Sequence, residues 1–238
     1  SLSHGGRHAG RGGSGAVFGA KQLKAIGVRG ELAVPWADAQ QLMHLAKDLS
    51  RRSFGPATAK YRELGTAANL LAFNRLHALP TRNFQAGQFD AAEQIAPEQL
   101  AVAREKTRTS CAACTIGCEH LYGLQTQAAD RPRGAGNPEP AVQPGATSPQ
   151  RPAANVRLEY ESLFALGPLC GIGDPQTVLM AARRCDQLGI DTISAGGTIA
   201  FAMECAERGL LDAPGLRFGN GAALAEAIEA IGAGQGLG

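Results

Sequence analysis

The stretch Cys111-Ala112-Ala113-Cys114-Thr115-Ile116-Gly117-Cys118 places three thiols in a C-x2-C-x3-C run. Thiolates at this spacing can wrap one iron–sulfur cubane, because the intervening residues let the chain curl while backbone N–H groups point at the sulfurs. Ala112, Ala113 and Gly117 are small enough to permit that approach. Structural zinc is the chemical rival, but it usually takes paired C-x2-C sets or a four-ligand Cys/His set, and only His120 lies near as a substitute. Three cysteines used as small buried hydrophobes are the plain alternative. A cubane takes four ligands. Cys170, Cys185 and Cys205 lie in apolar contexts that read as core, which leaves a fourth ligand outside this chain as the other option.

Other residues invite chemistry more weakly. Arg7 and Arg11 flank Gly10 in a loop without bulky neighbours, where guanidinium forks and bare backbone N–H groups suit phosphate oxygens. A flexible basic loop would have the same composition. Asp186 falls in the last turn of an expected helix ending at Gly189, where the macrodipole disfavours a negative charge, and Asp191 follows just past that end. Carboxylates there suit the N–H edge of a ligand; two solvated aspartates at a helix end are the alternative. Glu161 precedes the apolar run Leu163-Phe164-Ala165-Leu166, a setting that can raise a carboxyl pKa and fit it for proton transfer. An ordinary helix-surface glutamate fits there too. Lys21 and Lys24 read as solvated or structural.

These residues need elements to hold them. A chain of 238 residues, 44% hydrophobic and 18% charged, has the composition of an ordinary globular protein large enough to bury a core. Net charge of +2 argues against nucleic acid as the main partner. No apolar run approaches the roughly 20 residues that cross a bilayer, and the polar opening Ser1-Leu2-Ser3-His4-Gly5-Gly6-Arg7 shows no secretory signal. Six cysteines, three of them clustered, favour a reducing compartment with a metal site over a disulfide scaffold. With no initiator methionine and a glycine-rich close, both ends look cut, and the chain is expected to be an internal fragment.

The front reads as a basic glycine loop from Arg7 to Gly19, a lysine-bearing turn and a short strand from Ala25 to Arg29. Apolar residues at helical spacing predict a helix over Ala37–Arg52 and another over Tyr61–Leu76, closed by Pro80. Residues 81–87 read as a loop, and Pro97 opens a helix running to about Arg108. Residues 130–154, rich in Pro, Ala, Gly and Gln, read as a disordered surface insertion. Asp174-Pro175 begins a helix that Gly189 ends. Further helices are expected from about Gly197 to Arg208 and from Ala222 to Ile231. The chain is thus expected to be mainly α, with a small β-containing front.

Several stretches together carry a family resemblance. The run from Arg7 through Gly10, Arg11 and Gly19 to Ile26 resembles the glycine-rich segment of aldehyde ferredoxin oxidoreductases. So do Leu79-Pro80-Thr81-Arg82-Asn83-Phe84, the C-x2-C-x3-C run, Glu159-Tyr160-Glu161-Ser162 with Leu166-Gly167-Pro168-Leu169-Cys170-Gly171, and Asp186-Gln187-Leu188-Gly189-Ile190-Asp191-Thr192-Ile193-Ser194. Their order and rough spacing also match, over nearly the whole chain apart from the insertion.

That resemblance implies helical domains preceded, over residues 1–34, by the end of a β-rich pterin-binding domain, with residues 35–238 carrying the iron–sulfur and pterin motifs. It implies a 4Fe-4S cluster on Cys111, Cys114 and Cys118 and a tungsten (or molybdenum) bis-pterin contacted by Arg7, His8, Gly10, Arg11, Asp186, Ile190 and Asp191. Glu161 would stand near the metal as the catalytic residue. The implied activity is oxidation of aldehydes to carboxylic acids, with electrons leaving to ferredoxin or an electron-transfer subunit. A cytoplasmic setting and room for a homodimer follow from the same likeness. Reduction of another low-potential substrate, such as an aromatic acyl thioester, or a non-catalytic zinc-binding module, are the competing readings.

Overall fold

The computed structural model describes residues 1–4, 7–124 and 155–236; the expected insertion at 130–154 lies outside them. The front is a small antiparallel hairpin, β1 (Leu2–His4) with β2 (Arg7–Ala9), pairing Leu2 with Ala9 and Ser3 with His8. A 3-10 turn over Arg11–Gly13 leads into helix α1 (Ser14–Ala20), so the expected glycine loop is a strand, a 3-10 turn and a short helix instead. The strand expected at Ala25–Arg29 does not form. That stretch is exposed and pairs with no described strand, and a strand persists only where its backbone groups find a ladder.

Helix α2 (Ala39–Ser53) forms where periodicity placed it, with Asp38 as N-cap accepting from the Gln41 N–H at 2.8 Å. Its apolar residues Leu42, Met43, Leu45 and Leu49 are exposed: the repeat specified the helix without specifying what covers it. The helix expected over Tyr61–Leu76 is interrupted. Helix α3 (Ala59–Leu64) stops at Gly65, a 3-10 turn covers Thr66–Asn69, and α4 (Leu70–Arg75) resumes. Gly65 has φ +72°, and a Cβ there would lie 2.9 Å from the Cys118 carbonyl oxygen. The break therefore lets the cysteine run pass close to this turn.

Helix α5 (Pro97–Ala103) opens on its proline but ends early. The residues beyond it form β3 (Lys106–Thr109), which pairs with β4 (Glu119–Gly123), and β4 pairs with β5 (Asn155–Arg157). This three-stranded antiparallel sheet has β4 at its centre, and the cysteine run is the connection between β3 and β4.

Four helices then build the main core: α6 (Tyr160–Leu166), α7 (Pro175–Leu188), α8 (Thr192–Glu207) and α9 (Gly221–Ala233). Asp174 caps α7 by accepting from the Thr177 N–H at 2.7 Å, and Gly189 ends it in the left-handed region as expected. Helix α8 starts one turn earlier than its sequence suggested, because Asp191 is its N-cap. Leu163, Leu166, Leu179, Ile199, Met203, Leu224 and Ile228 are buried among these helices, together with Leu70, Ile95 and Tyr122 from the elements before them. The architecture is mainly α. No described helix is long and apolar enough to cross a membrane.

Candidate functional site

The cysteine loop hangs from the β3–β4 pair and is more open than the core: Cys111 is exposed, Cys114 and Cys118 half-buried. Two left-handed residues shape it, Ala113 at φ +58° and Gly117 at φ +60°. A Cβ on Gly117 would sit 2.8 Å from Ser110 Oγ, so only glycine suits both the conformation and the space. The Cys114 sulfur receives the backbone N–H groups of Gly117 and Ile116, which hold its thiol below the usual cysteine range. Cys118 is displaced the other way, by burial first and then by the field of Glu159 and of the neighbouring thiols. Donors aimed at sulfur on a curled loop fit a thiolate-bound cluster. Among the described residues no three His, Cys, Asp or Glu side chains gather tightly enough to hold a single ion. A cubane makes no such demand, since each cysteine binds a different iron corner. His120 is buried, and its Nε2 lies 3.1 Å from the Arg62 carbonyl oxygen.

Arg7 joins this loop to the helical core. Its Nη1 lies 2.9 Å from Glu159 Oε1 and 3.3 Å from Glu119 Oε2, while Nη2 donates to Cys111 Sγ at 2.7 Å. Burial works against the guanidinium charge, and the bonds to Glu159 and Cys111 with the field of Glu119 outweigh it, raising its pKa.

The rest of the front segment meets the turn between α7 and α8. His8 Nε2 lies 3.4 Å from Asp186 Oδ1, and Arg157 Nη2 lies 3.8 Å from the same oxygen. Asp186 is therefore flanked by basic side chains rather than solvated, which offsets its unfavourable place at a helix C-terminus. Asp191 does not merely trail α7. Its Oδ2 accepts from the Ser194 N–H at 2.9 Å as the cap of α8, and its Oδ1 faces Arg11 Nε at 3.3 Å. Gly10 packs on it so closely that a Cβ would stand 2.7 Å from Asp191 Cβ. The Ile190 N–H is taken by the Cys185 carbonyl at 2.9 Å. His8, Gly10 and Arg11 thus face Asp186 and Asp191 along one polar seam, while Arg7 turns to Glu159, Glu119 and Cys111. The seam's basic and acidic members fit a ligand that carries both phosphate oxygens and N–H edges.

Glu161 stands in the first turn of α6, half-buried and near Tyr160, whose phenol is pushed up by burial and by the Glu161 charge. Its carboxylate makes no hydrogen bond or ion pair among the described residues. Cys170 and Cys185 are buried core thiols, each pushed up to about 12, chiefly by burial. Two open hollows, about 670 Å³ beside Arg82 and Arg217 and about 400 Å³ between α8 and α9, contain none of the predicted site residues. Sequence reasoning missed Glu119 and Glu159 as partners of Arg7 and Arg157 as a partner of Asp186. An acidic residue directly after Cys118, opening the run Glu119-His120-Leu121-Tyr122, was the available signal.

A family model described as aldehyde ferredoxin oxidoreductase, domains 2 and 3, matches residues 40–238. The chain belongs to the aldehyde ferredoxin oxidoreductase family. Tungsten-containing aldehyde ferredoxin oxidoreductase of Pyrococcus furiosus is 37% identical over 245 residues, covering 100% of this chain and 36% of that protein. The enzyme of the same name from Thermococcus kodakarensis is 37% identical over 238 residues, covering 97% and 35%. A more distant relative in P. furiosus, an aliphatic sulfonate oxidoreductase WOR-like subunit, is 26% identical over 242 residues, covering 97% and 34%. The chain therefore spans about a third of the length of these relatives. Within the family match lie the cysteine loop, α6 and the Asp186–Asp191 turn; the basic front segment precedes it.

Proposed function

We propose that this chain supplies part of the cofactor-holding centre of an oxidoreductase that converts aldehydes to carboxylic acids and delivers the electrons to ferredoxin or an electron-transfer subunit. The observation that carries the reading is the position of Arg7, in contact with Cys111 Sγ and, through Glu159, with the start of α6, while its neighbours His8 and Arg11 pair with Asp186 and Asp191. Cluster-type and pterin-type residues, far apart in sequence, meet on one short segment. Residues 1–34 are the end of a β-rich pterin-binding domain, and the helical region follows from residue 35.

Cys111, Cys114 and Cys118 hold a 4Fe-4S cluster, with its fourth ligand outside this set. Arg7 and Arg11 would hold the phosphates of a bis-pterin, and Asp186 and Asp191 would take its N–H edges beside the Ile190 backbone, with Gly10 keeping the seam narrow. When bound, the tungsten or molybdenum bis-pterin supplies two-electron chemistry and the cluster single-electron transfer, which is the division of labour the protein must orient. Glu161, unpaired at the N-terminal turn of α6, is the group placed to take or give a proton near the substrate.

One relative is named for a sulfonate and not an aldehyde, so the substrate must be assayed. The test is metal and pterin analysis of the anaerobically purified full-length protein, with an aldehyde panel and an artificial electron acceptor. Iron with tungsten or molybdenum and aldehyde-dependent reduction are expected. Zinc alone, without pterin, would leave a non-catalytic zinc-binding module.

A further inference from the structure

Glu119 lies outside the proposed cluster and pterin contacts, yet it is the most buried charged group at the junction. Its side chain is 6% exposed and its Oε2 lies 3.3 Å from Arg7 Nη1. It begins β4 immediately after Cys118, where pairing with Thr109 fixes its backbone at the root of the cysteine loop. Glu159, at the N-cap position of α6, contacts the same Nη1 at 2.9 Å. A carboxylate withdrawn from water needs a cation close by, so Glu119 and Arg7 fix one another's position. The guanidinium is a rigid planar fork: once Nη1 is held between two carboxylates, the direction of Nη2 is set, and it points at Cys111 Sγ at 2.7 Å.

We infer that Glu119 is a positioning residue for the iron–sulfur centre, clamping Arg7 with Glu159 so that its guanidinium donates to the Cys111 sulfur. The inference rests on the reading that Cys111 ligates a cluster. Adding an electron to a cluster increases its negative charge, and a hydrogen-bonding cation on a ligand sulfur stabilises that reduced state and raises the reduction potential. Glu119 therefore raises the potential indirectly, by holding Arg7, although its own negative charge acts the opposite way through space. These two effects have opposite signs and can be separated.

The experiment is a redox titration of the cluster in the full-length, iron-loaded protein, followed by visible absorption and by the paramagnetic signal of the reduced form. Glu119→Gln should shift the cluster potential downward, as should Arg7→Gln. In the Arg7→Gln background, where the positioning of Arg7 no longer contributes, Glu119→Gln should shift it upward, because a negative charge near the cluster is removed. An upward shift from Glu119→Gln in the otherwise unaltered protein, no shift at all, or strictly additive shifts would overturn the positioning role. Should Glu119→Gln fail to accumulate, Glu119→Asp keeps the charge on a shorter arm. It should still lower the potential, and an unchanged potential there would overturn the role equally. An unaltered protein without iron would refute the cluster reading itself, a different failure from an iron-loaded protein whose potential ignores Glu119.

Discussion

The α6–α9 assembly and the front segment lying against it are held by different forces. Within the assembly, Leu163, Leu179, Met203, Leu224 and Ile228 are buried, and burial of apolar surface carries the contact. The front segment has no buried residue in α1 and meets the rest through Arg7, His8 and Arg11 facing Glu119, Glu159, Asp186 and Asp191. Pairs with an exposed partner, such as Arg11–Asp191, contribute little individually and are screened by salt, while the buried Glu119 chiefly fixes Arg7, so this contact orients more than it stabilises. The division suits the proposed cofactor site, in which a rigid helical base carries a polar wall of paired charges.

The sharpest way to break the comparison is to damage the base. Leu163→Ala removes a fully buried side chain from α6 and should destabilise the protein by about 2–5 kcal/mol, read from the denaturant midpoint. The seam should respond less. Asp191→Ala loses the α8 cap and the Arg11 partner and should cost about 0.5–2 kcal/mol, whereas Asp191→Asn keeps a capping oxygen and should retain most stability. If the two variants melt alike, the cap contributes nothing at this position.

A smaller difference separates the thiols of the cysteine loop. Backbone N–H groups favour the Cys114 thiolate, while burial and Glu159 disfavour that of Cys118. In iron-free protein, Cys114 should alkylate faster than Cys118 near neutral pH, and the gap should narrow as pH rises and Cys118 ionises. Peptide mapping after timed iodoacetamide treatment checks this; equal rates at every pH would remove the N–H argument. Least affected of all should be Arg184→Ala, which breaks an exposed pair with Glu229 between α7 and α9. An unchanged melting midpoint is expected, because that contact rests on its apolar face.

Helices α7 and α9 were legible because their signals are local; α8 was expected a turn late and α6 was not expected. Asp174-Pro175, Gly189 and the apolar spacing of α9 are each read within a few residues. The sheet was not: β3 continues from a proline-opened helix, β4 is only five residues long, and β5 lies beyond a long intervening stretch. The three cysteines were visible as a run, and the basic and acidic site residues were picked out by the family resemblance. Their pairing was not visible. Arg7 and Glu159 are 152 positions apart, and no local pattern marks the partner of a salt bridge formed between β2 and α6. Asp191 shows the opposite error: a residue assigned only to ligand binding also has the local task of starting α8.

The central claim is that the loop from Cys111 to Cys118 holds an iron–sulfur cluster beside Arg7. The most direct measurement is iron and acid-labile sulfide per chain, with the visible spectrum before and after reduction, in anaerobically purified full-length protein and in its Cys114→Ser variant. The account predicts iron and sulfide in the unaltered protein, a broad visible band that bleaches on reduction, and a marked loss of both in the variant. A protein that contains no iron, or whose iron and spectrum are unchanged by Cys114→Ser, would contradict it.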